Sequence, residues 1–170
     1  MRHRPSGSTG RASLYSDEER RRRDASIWTT VQGVLAPLQF AVFVVSLGLV
    51  LRYLATGEGL SVANASIVTK TAVLLTIMVT GSIWEKDVFG RYLFAPAFFW
   101  EDVVSMGVIA LHVGYCVALF WGLLSPLNLM LLALAAYATY VVNAAQFVFK
   151  LRAARLSRPV AEPSLVEVAQ

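Results

Sequence analysis

The sequence predicts an all-α integral membrane protein, a four-helix bundle with both its N- and C-termini on the cytoplasmic side. Three observations lead there. The chain has 170 residues, 56% of them hydrophobic, and a mean hydropathy of +0.59, more apolar than an ordinary soluble domain. The excess is gathered into four runs, residues 31–53, 62–84, 98–120 and 127–149, each matching the ~20 helical residues that cross a bilayer's hydrocarbon core. The basic residues crowd the connections on one side. Backbone groups cannot stay unpaired in lipid, so runs of this length are expected to be helical, and the alternation of barrel strands is absent.

Taken in order, residues 1–30 form a basic N-terminal segment. Its first 13 residues are small, polar and basic, a composition expected to stay disordered. Ser16-Asp17-Glu18-Glu19 then carries a capping-box pattern, which predicts a short surface helix through Arg23. The first span is too long, and too far from the start, for a cleaved signal. Thr56-Gly57-Glu58-Gly59 is a turn into the second span, and Asn64-Ala65-Ser66, although a glycosylation sequon, reads as the start of that span. Leu124-Ser125-Pro126 opens the fourth span with proline where helices accept it. The connection there is short, so spans three and four are expected to be antiparallel neighbours. Residues 31–150 thus form the membrane domain, and residues 151–170, with Pro159 and Pro163, a loose basic tail. Cys116 is the single cysteine, so no internal disulfide forms.

Seven arginines precede the first span (Arg2, Arg4, Arg11 and Arg20 to Arg23), while Lys150, Arg152, Arg155 and Arg158 follow the fourth. The second connection carries Lys86 and Arg91, the first only Arg52, and the third no basic residue. Basic connections stay cytoplasmic, and four spans put both termini and the second connection on that one side. The arginine run therefore reads as a topology signal and a lipid-headgroup contact. Nothing else in the chain suggests a nucleic-acid partner.

Polar residues inside apolar spans are costly and invite a functional reading. Here they gather at one depth, near the cytoplasmic ends: Gln32 and Gln39; Trp84, Glu85, Lys86 and Asp87; Glu101, Asp102 and Ser105; Asn143 and Gln146. The opposite half is expected to be nearly all aliphatic. At 100° per residue Glu101, Ser105, His112 and Tyr115 share a face, with His112 roughly 16 Å deeper than Glu101. Thr139, Asn143, Gln146 and Lys150 share another. Gln32, Gln39, Ser46 and Tyr53 recur every seven residues, as along a helix seam. These stripes suggest one polar cavity floored by His112. Plainer readings stand beside it: Gln39, Ser46 and Asn143 as interhelical hydrogen-bond glue, Glu85 to Asp87 as an interface charge cluster, His112 as a core histidine, Trp84 and Phe98 to Trp100 as an interface belt, and Lys70 as a snorkelling side chain. No HExxH, CxxC, GxSxG or glycine-rich phosphate loop is present. Carboxyl groups flanked by aromatics suit proton transfer to a flat, apolar substrate, since a carboxyl held against apolar rings can act as an acid near neutrality.

The stretches DASIWTTVQGVLAPLQF, TGSIWEKDVFGRYLFAPAFFWEDVVS and LALAAYATYVVNAAQFVFKLRAARL resemble the 3-vinyl (2-vinyl in older numbering) bacteriochlorophyllide hydratases of bacteriochlorophyll biosynthesis. The resemblance runs from Leu14 to Leu156. It implies a hydro-lyase of a bacterial inner membrane that adds water to the 3-vinyl group of a chlorophyllide or bacteriochlorophyllide, leaving a 3-(1-hydroxyethyl) group. It implies no cofactor: water is the co-substrate and magnesium comes with the substrate. Glu101 is then the first choice of acid, with Glu85 second, and Asp102 or Glu85 takes the proton from water. Asn143, Gln146 and Gln39 position that water. Trp84, Phe98, Phe99 and Trp100 stack on the macrocycle, Arg91 or Lys86 pairs with its propionate, and His112 is either an axial ligand to the substrate magnesium or a proton relay. The alternative is a non-catalytic (bacterio)chlorophyllide carrier or assembly factor, which needs His112 but not the acids. A proton-coupled transporter is a third reading, weakened by the aliphatic far half. The alanine run Ala133, Ala135, Ala136 and Ala138 allows close packing within one chain or between two, leaving open a homo-oligomer or a complex with neighbouring pathway enzymes.

Overall fold

The computed structural model of the chain describes residues 14–156. The loose segment expected over residues 1–13, with Arg2, Arg4 and Arg11, and the tail with Arg158, Pro159 and Pro163 lie outside the described residues. Five helices follow one another: α1 (Asp17–Ala25), α2 (Ile27–Thr56), α3 (Leu60–Phe89), α4 (Phe99–Phe120) and α5 (Pro126–Leu156). The last four are long and apolar enough to cross a membrane, and the described residues contain no strand. Each expected span has its helix, although α2, α3 and α5 run several residues beyond the apolar runs because their polar ends continue the helical ladder.

Local chemistry accounts for the helix ends. The Ser16 hydroxyl accepts from the Glu19 N–H at 3.2 Å, and the Glu19 carboxylate accepts from the Ser16 N–H at 2.7 Å, so the capping box starts α1 where the pattern predicts. Its acidic first turn and basic last turn suit the helix dipole. Gly57 and Gly59, at φ of 75° and 84°, turn the chain between α2 and α3 in a left-handed conformation that favours glycine. Pro37 lies inside α2 and removes one ladder bond, a loss that membrane helices tolerate.

The long helices alternate in direction. Gln32 reaches Thr80 and Ser46 reaches Ser66 between α2 and α3. Lys70 meets His112, and Asn64 meets Tyr115, between α3 and α4. Glu101 pairs with Lys150, and Ser105 with Asn143, between α4 and α5. The interior is filled by Val50, Ile67, Val108, Met130 and Ala133, while Val34, Phe40, Val45, Val79, Val142 and Val148 face outward. Such apolar outer faces suit lipid. Of the alanine run, Ala133 and Ala136 are buried against other helices, whereas Ala135 and Ala138 are exposed.

Two sequence expectations need correction. Lys70 does not snorkel: it is fully buried, and its Nζ lies 2.9 Å from His112 Nε2 and 4.0 Å from the centre of the Tyr140 ring. Nor is the half of the helices away from the acids nearly all aliphatic. Ser46, Ser66 and Tyr137 form a hydrogen-bonded group there, as do Asn64 and Tyr115. Scattered single polar residues on different helices meet once the helices pack, which no one span reveals. The sequon Asn64 accepts from Tyr115 Oη at 2.8 Å, so its side chain is used inside the fold.

The capping box makes a local prediction. Ser16→Ala should weaken the first turn of α1 by about 1 kcal/mol, seen as faster amide exchange over residues 18–20 with the four long helices unchanged.

Candidate active site

The acids predicted from the sequence come together. Glu85, near the end of α3, and Glu101 and Asp102, in the first turn of α4, are all buried, at 5%, 7% and 3% exposure. Helix ends meet here because α3 and α4 are antiparallel and joined by residues 90–98, which fold back over the pair. Two successive backbone N–H groups of that loop point down at the acids: Phe94 N–H donates to Asp102 Oδ2 at 2.7 Å, and Ala95 N–H to Glu85 Oε2 at 3.2 Å. Phe94 reaches this position with φ of 59°, an uncommon conformation for a bulky residue and a form of local strain associated with functional sites. The Glu85 and Asp102 side chains are themselves in hydrogen-bond contact. Two carboxyl groups make such a contact through a shared proton, as in acid dyads. Glu101 is arranged differently. Its Oε2 takes a 2.5 Å ion pair from Lys150 on α5, so its charge is already balanced.

Aromatic rings close the site on the α1 side. Phe98 is 2% exposed; it stacks on Phe147 with ring centroids 5.9 Å apart and meets Trp84 edge-on at 5.7 Å. Tyr15 stacks on Phe89, and burial raises its hydroxyl above the ordinary 10.0 against the opposing pull of Arg23. Lys150 Nζ lies 5.0 Å from the Phe98 ring centre, which couples the aromatic cluster to the ion pair. Trp84 Nε1–H donates to Thr29 Oγ1 at 2.9 Å, fixing the indole.

The remaining expected residues divide by location. Asn143 Nδ2 donates to Ser105 Oγ at 2.8 Å, one turn below Glu101 and Asp102. Asn143 Oδ1, Gln146 Oε1 and both amide atoms of Gln39 are buried without a protein hydrogen-bond partner. Phe99 and Trp100, expected to stack on a macrocycle, point outward at 42% and 69% exposure, beside exposed Tyr92 and Phe94. Lys86 and Arg91 are exposed, with Lys86 Nζ donating to Tyr92 Oη at 2.6 Å. His112 is not with the acids: it sits ten residues deeper than Asp102, roughly 15 Å along α4, and is fully buried. Its Nδ1–H donates to Val108 O at 2.8 Å, so Nε2 is the acceptor facing Lys70, and no ring lone pair is left for a magnesium ion in this arrangement.

Reasoning from sequence missed Lys150 as the partner of Glu101, the paired N–H groups of Phe94 and Ala95, and the contribution of Tyr15 and Phe147. Lys150 did carry a signal, its place on one α5 face with Asn143 and Gln146. The loop contacts carried none, because backbone donors leave no mark in a sequence.

The fold and site define a class: a helical protein with four helices long and apolar enough to cross a membrane and a buried carboxyl pair beside aromatic rings. The comparisons with known proteins narrow it. The family model for 2-vinyl bacteriochlorophyllide hydratase (BCHF) matches residues 15–153. A 2-vinyl bacteriochlorophyllide hydratase of Cereibacter sphaeroides is 67% identical over 150 residues, 88% of this chain and 92% of that one. Another, from Rhodobacter capsulatus, is 66% identical over 147 residues, covering 86% and 85%. No solved structure matches significantly. The chain belongs to the 2-vinyl bacteriochlorophyllide hydratase family, the family its sequence resembles.

Removing Lys150 should expose the strain of the site. Lys150→Met leaves the buried Glu101 carboxylate without its cation, and a loss of about 1–3 kcal/mol is expected. The Lys150→Met/Glu101→Gln double variant should recover most of it, read as the thermal unfolding midpoint in detergent.

Proposed function

We propose that this protein hydrates the vinyl group of a bacteriochlorophyllide-type tetrapyrrole to a 1-hydroxyethyl group, as a hydro-lyase of bacteriochlorophyll biosynthesis. The observation that carries the reading from geometry is the Glu85–Asp102 contact beneath the Phe94 and Ala95 N–H groups. Addition of water to an alkene needs a proton at one carbon and a hydroxyl at the other. The shared carboxyl proton goes to the terminal vinyl carbon, and the positive charge that develops at the inner carbon spreads into the macrocycle. Water attacks the inner carbon, and its proton returns to the vacated carboxylate, so the enzyme ends as it began. The arrangement favours Glu85 and Asp102 as the acid–base pair. Glu101, balanced by Lys150, supplies fixed negative charge next to the developing cation. No net oxidation occurs, so the reaction calls for no redox cofactor; the magnesium belongs to the substrate.

Asn143, Gln146 and Gln39 hold the attacking water, a role supported by their open hydrogen-bonding atoms. Phe98 and Trp84 line the inner wall, and exposed Phe99 and Trp100 offer the macrocycle its first apolar contact at the membrane interface, with Arg91 or Lys86 near its propionate. The acids are sealed, so binding must lift the 90–98 loop. With Arg20 to Arg23, Lys86, Arg91 and Lys150 at this end, the positive-inside rule puts it on the cytoplasmic face of a bacterial inner membrane, together with both termini. The membrane domain then spans residues 31–150, between a basic N-terminal segment and a basic tail. Self-association or contact with neighbouring pathway enzymes would extend this reading, through the exposed Ala135 and Ala138 face of α5.

The variants Glu85→Gln and Asp102→Asn should each bind pigment normally and lose turnover by roughly 10²–10⁴-fold, with Glu101→Gln losing less. The assay is gain of one water by the pigment, read by mass. Full activity in both of the first two variants would refute the assignment, and pigment that binds to the wild-type chain without ever gaining mass would favour a carrier.

A further inference from the structure

Below the acids the interior stays polar. Antiparallel packing of α2 against α5 brings the Phe43 ring to 5.0 Å from Tyr140 and 5.4 Å from Tyr137. Gln39 lies one turn before Phe43 on α2, and Asn143 one turn after Tyr140 on α5, so the two amides belong to the same level between the same helices. Gln39 is 2% exposed, and neither its Oε1 nor its Nε2 meets a protein partner. At the same level Asn143 leaves Oδ1 open, and a turn nearer the acids Gln146 leaves Oε1 open. Buried amides in native proteins are satisfied by protein or by ordered water, and leaving one bare is expensive. Four open atoms on three neighbouring side chains are the setting in which buried water is found.

The polar groups continue past that level. One turn or two deeper come Lys70 and His112, then Tyr137 with Ser46 and Ser66, then Tyr115 with Asn64. Asn64 lies in the second turn of α3 and, like Ser66, is partly exposed. These groups thus run from the acid level to two partly exposed side chains in the half of α3 remote from the acids. At the acid end, by contrast, Phe98, Tyr15 and Ala95 are buried and shut the site.

We infer that the column from Asn64 and Ser66 to Gln39, Asn143 and Gln146 is a file of bound water that delivers the second substrate to the acid pair from the end opposite the pigment. The inference rests on the hydratase reading for its purpose, but not for its existence. It gives Lys70 a role: its terminal nitrogen, held across the column beside His112, is a hydrogen-bonding partner for passing water. It also removes a difficulty of the site, since a macrocycle seated over the acids would block water coming from its own side. Gln39 and Ser46 act here on water alone; neither touches the pigment.

X-ray radiolytic footprinting of the full chain in lipid nanodiscs tests this, because hydroxyl radicals made from bound water oxidise only the side chains beside it. Tyr137 and Tyr140 should be oxidised in the wild-type chain although buried, with exposed Tyr92 as the positive control. Gln39→Met, which keeps the length and removes the amide, and Ser46→Ala should lower that oxidation. They should also lower kcat by roughly tenfold, the effect of about one hydrogen bond, with the pigment KM unchanged. If Tyr92 is oxidised and Tyr137 and Tyr140 are not, the file does not exist. Unchanged oxidation in both variants would also overturn it. Oxidised tyrosines with no hydration of any vinyl pigment would support the file and refute the hydratase reading instead.

Discussion

Three carboxyl groups withdrawn from water at one end of four apolar helices set the terms that the surrounding structure meets. A buried charge without a partner is far too costly to persist, so each acid carries its own compensation. Glu101 has Lys150 from α5. Glu85 and Asp102 have one another and a backbone N–H each. Those two N–H groups come from adjacent residues, which is possible because Phe94 takes up its left-handed conformation. The connection between α3 and α4 is thus shaped by the acids as much as by the helices it joins. The same contacts link chemistry to access, since whatever lifts the loop also frees the carboxyl oxygens that its N–H groups occupy.

The second polar level, around Lys70 and His112, is compensated in another way. Aromatic faces surround the Lys70 terminal nitrogen, with Tyr140 the nearest, and the imidazole shares a hydrogen bond with it. No carboxylate joins it in the contacts seen among the described residues. Depth separates the two levels by about 15 Å along α4, and the open amides of Gln39 and Asn143 lie between them. A protein that only carried a pigment would have little use for either the sealed acid pair or this interior.

Much of this was legible in the sequence where periodicity and length carry the signal. Four apolar runs became four helices, the Ser16 to Glu19 pattern became a capping box, and the seven-residue spacing of Gln39 and Ser46 became an inward face. The face shared by Glu101, Ser105, His112 and Tyr115 is likewise buried throughout. What escaped was whatever depends on which helix meets which. Lys70 looks like a snorkelling side chain on its own span, yet α4 and α5 bring it an imidazole and a tyrosine ring. Phe98, Phe99 and Trp100 look alike in sequence, but consecutive positions around the α4 start send Phe98 inward and the other two out. His112 shares a face with Glu101, yet eleven residues of helical rise keep them apart, so a shared face did not mean a shared site. The family resemblance supplied the reaction; only packing shows that Glu101 faces Lys150 while Glu85 and Asp102 face one another.

The central claim is that Glu85 and Asp102 hold a proton between them before substrate arrives. Infrared difference spectroscopy of the resting protein at neutral pH, in light and heavy water, reads this directly. The account predicts a protonated-carboxyl C=O band that shifts in heavy water and is absent from the Glu85→Gln/Asp102→Asn double variant. A wild-type spectrum showing only ionised carboxylates, or a band that survives in the double variant, would contradict it.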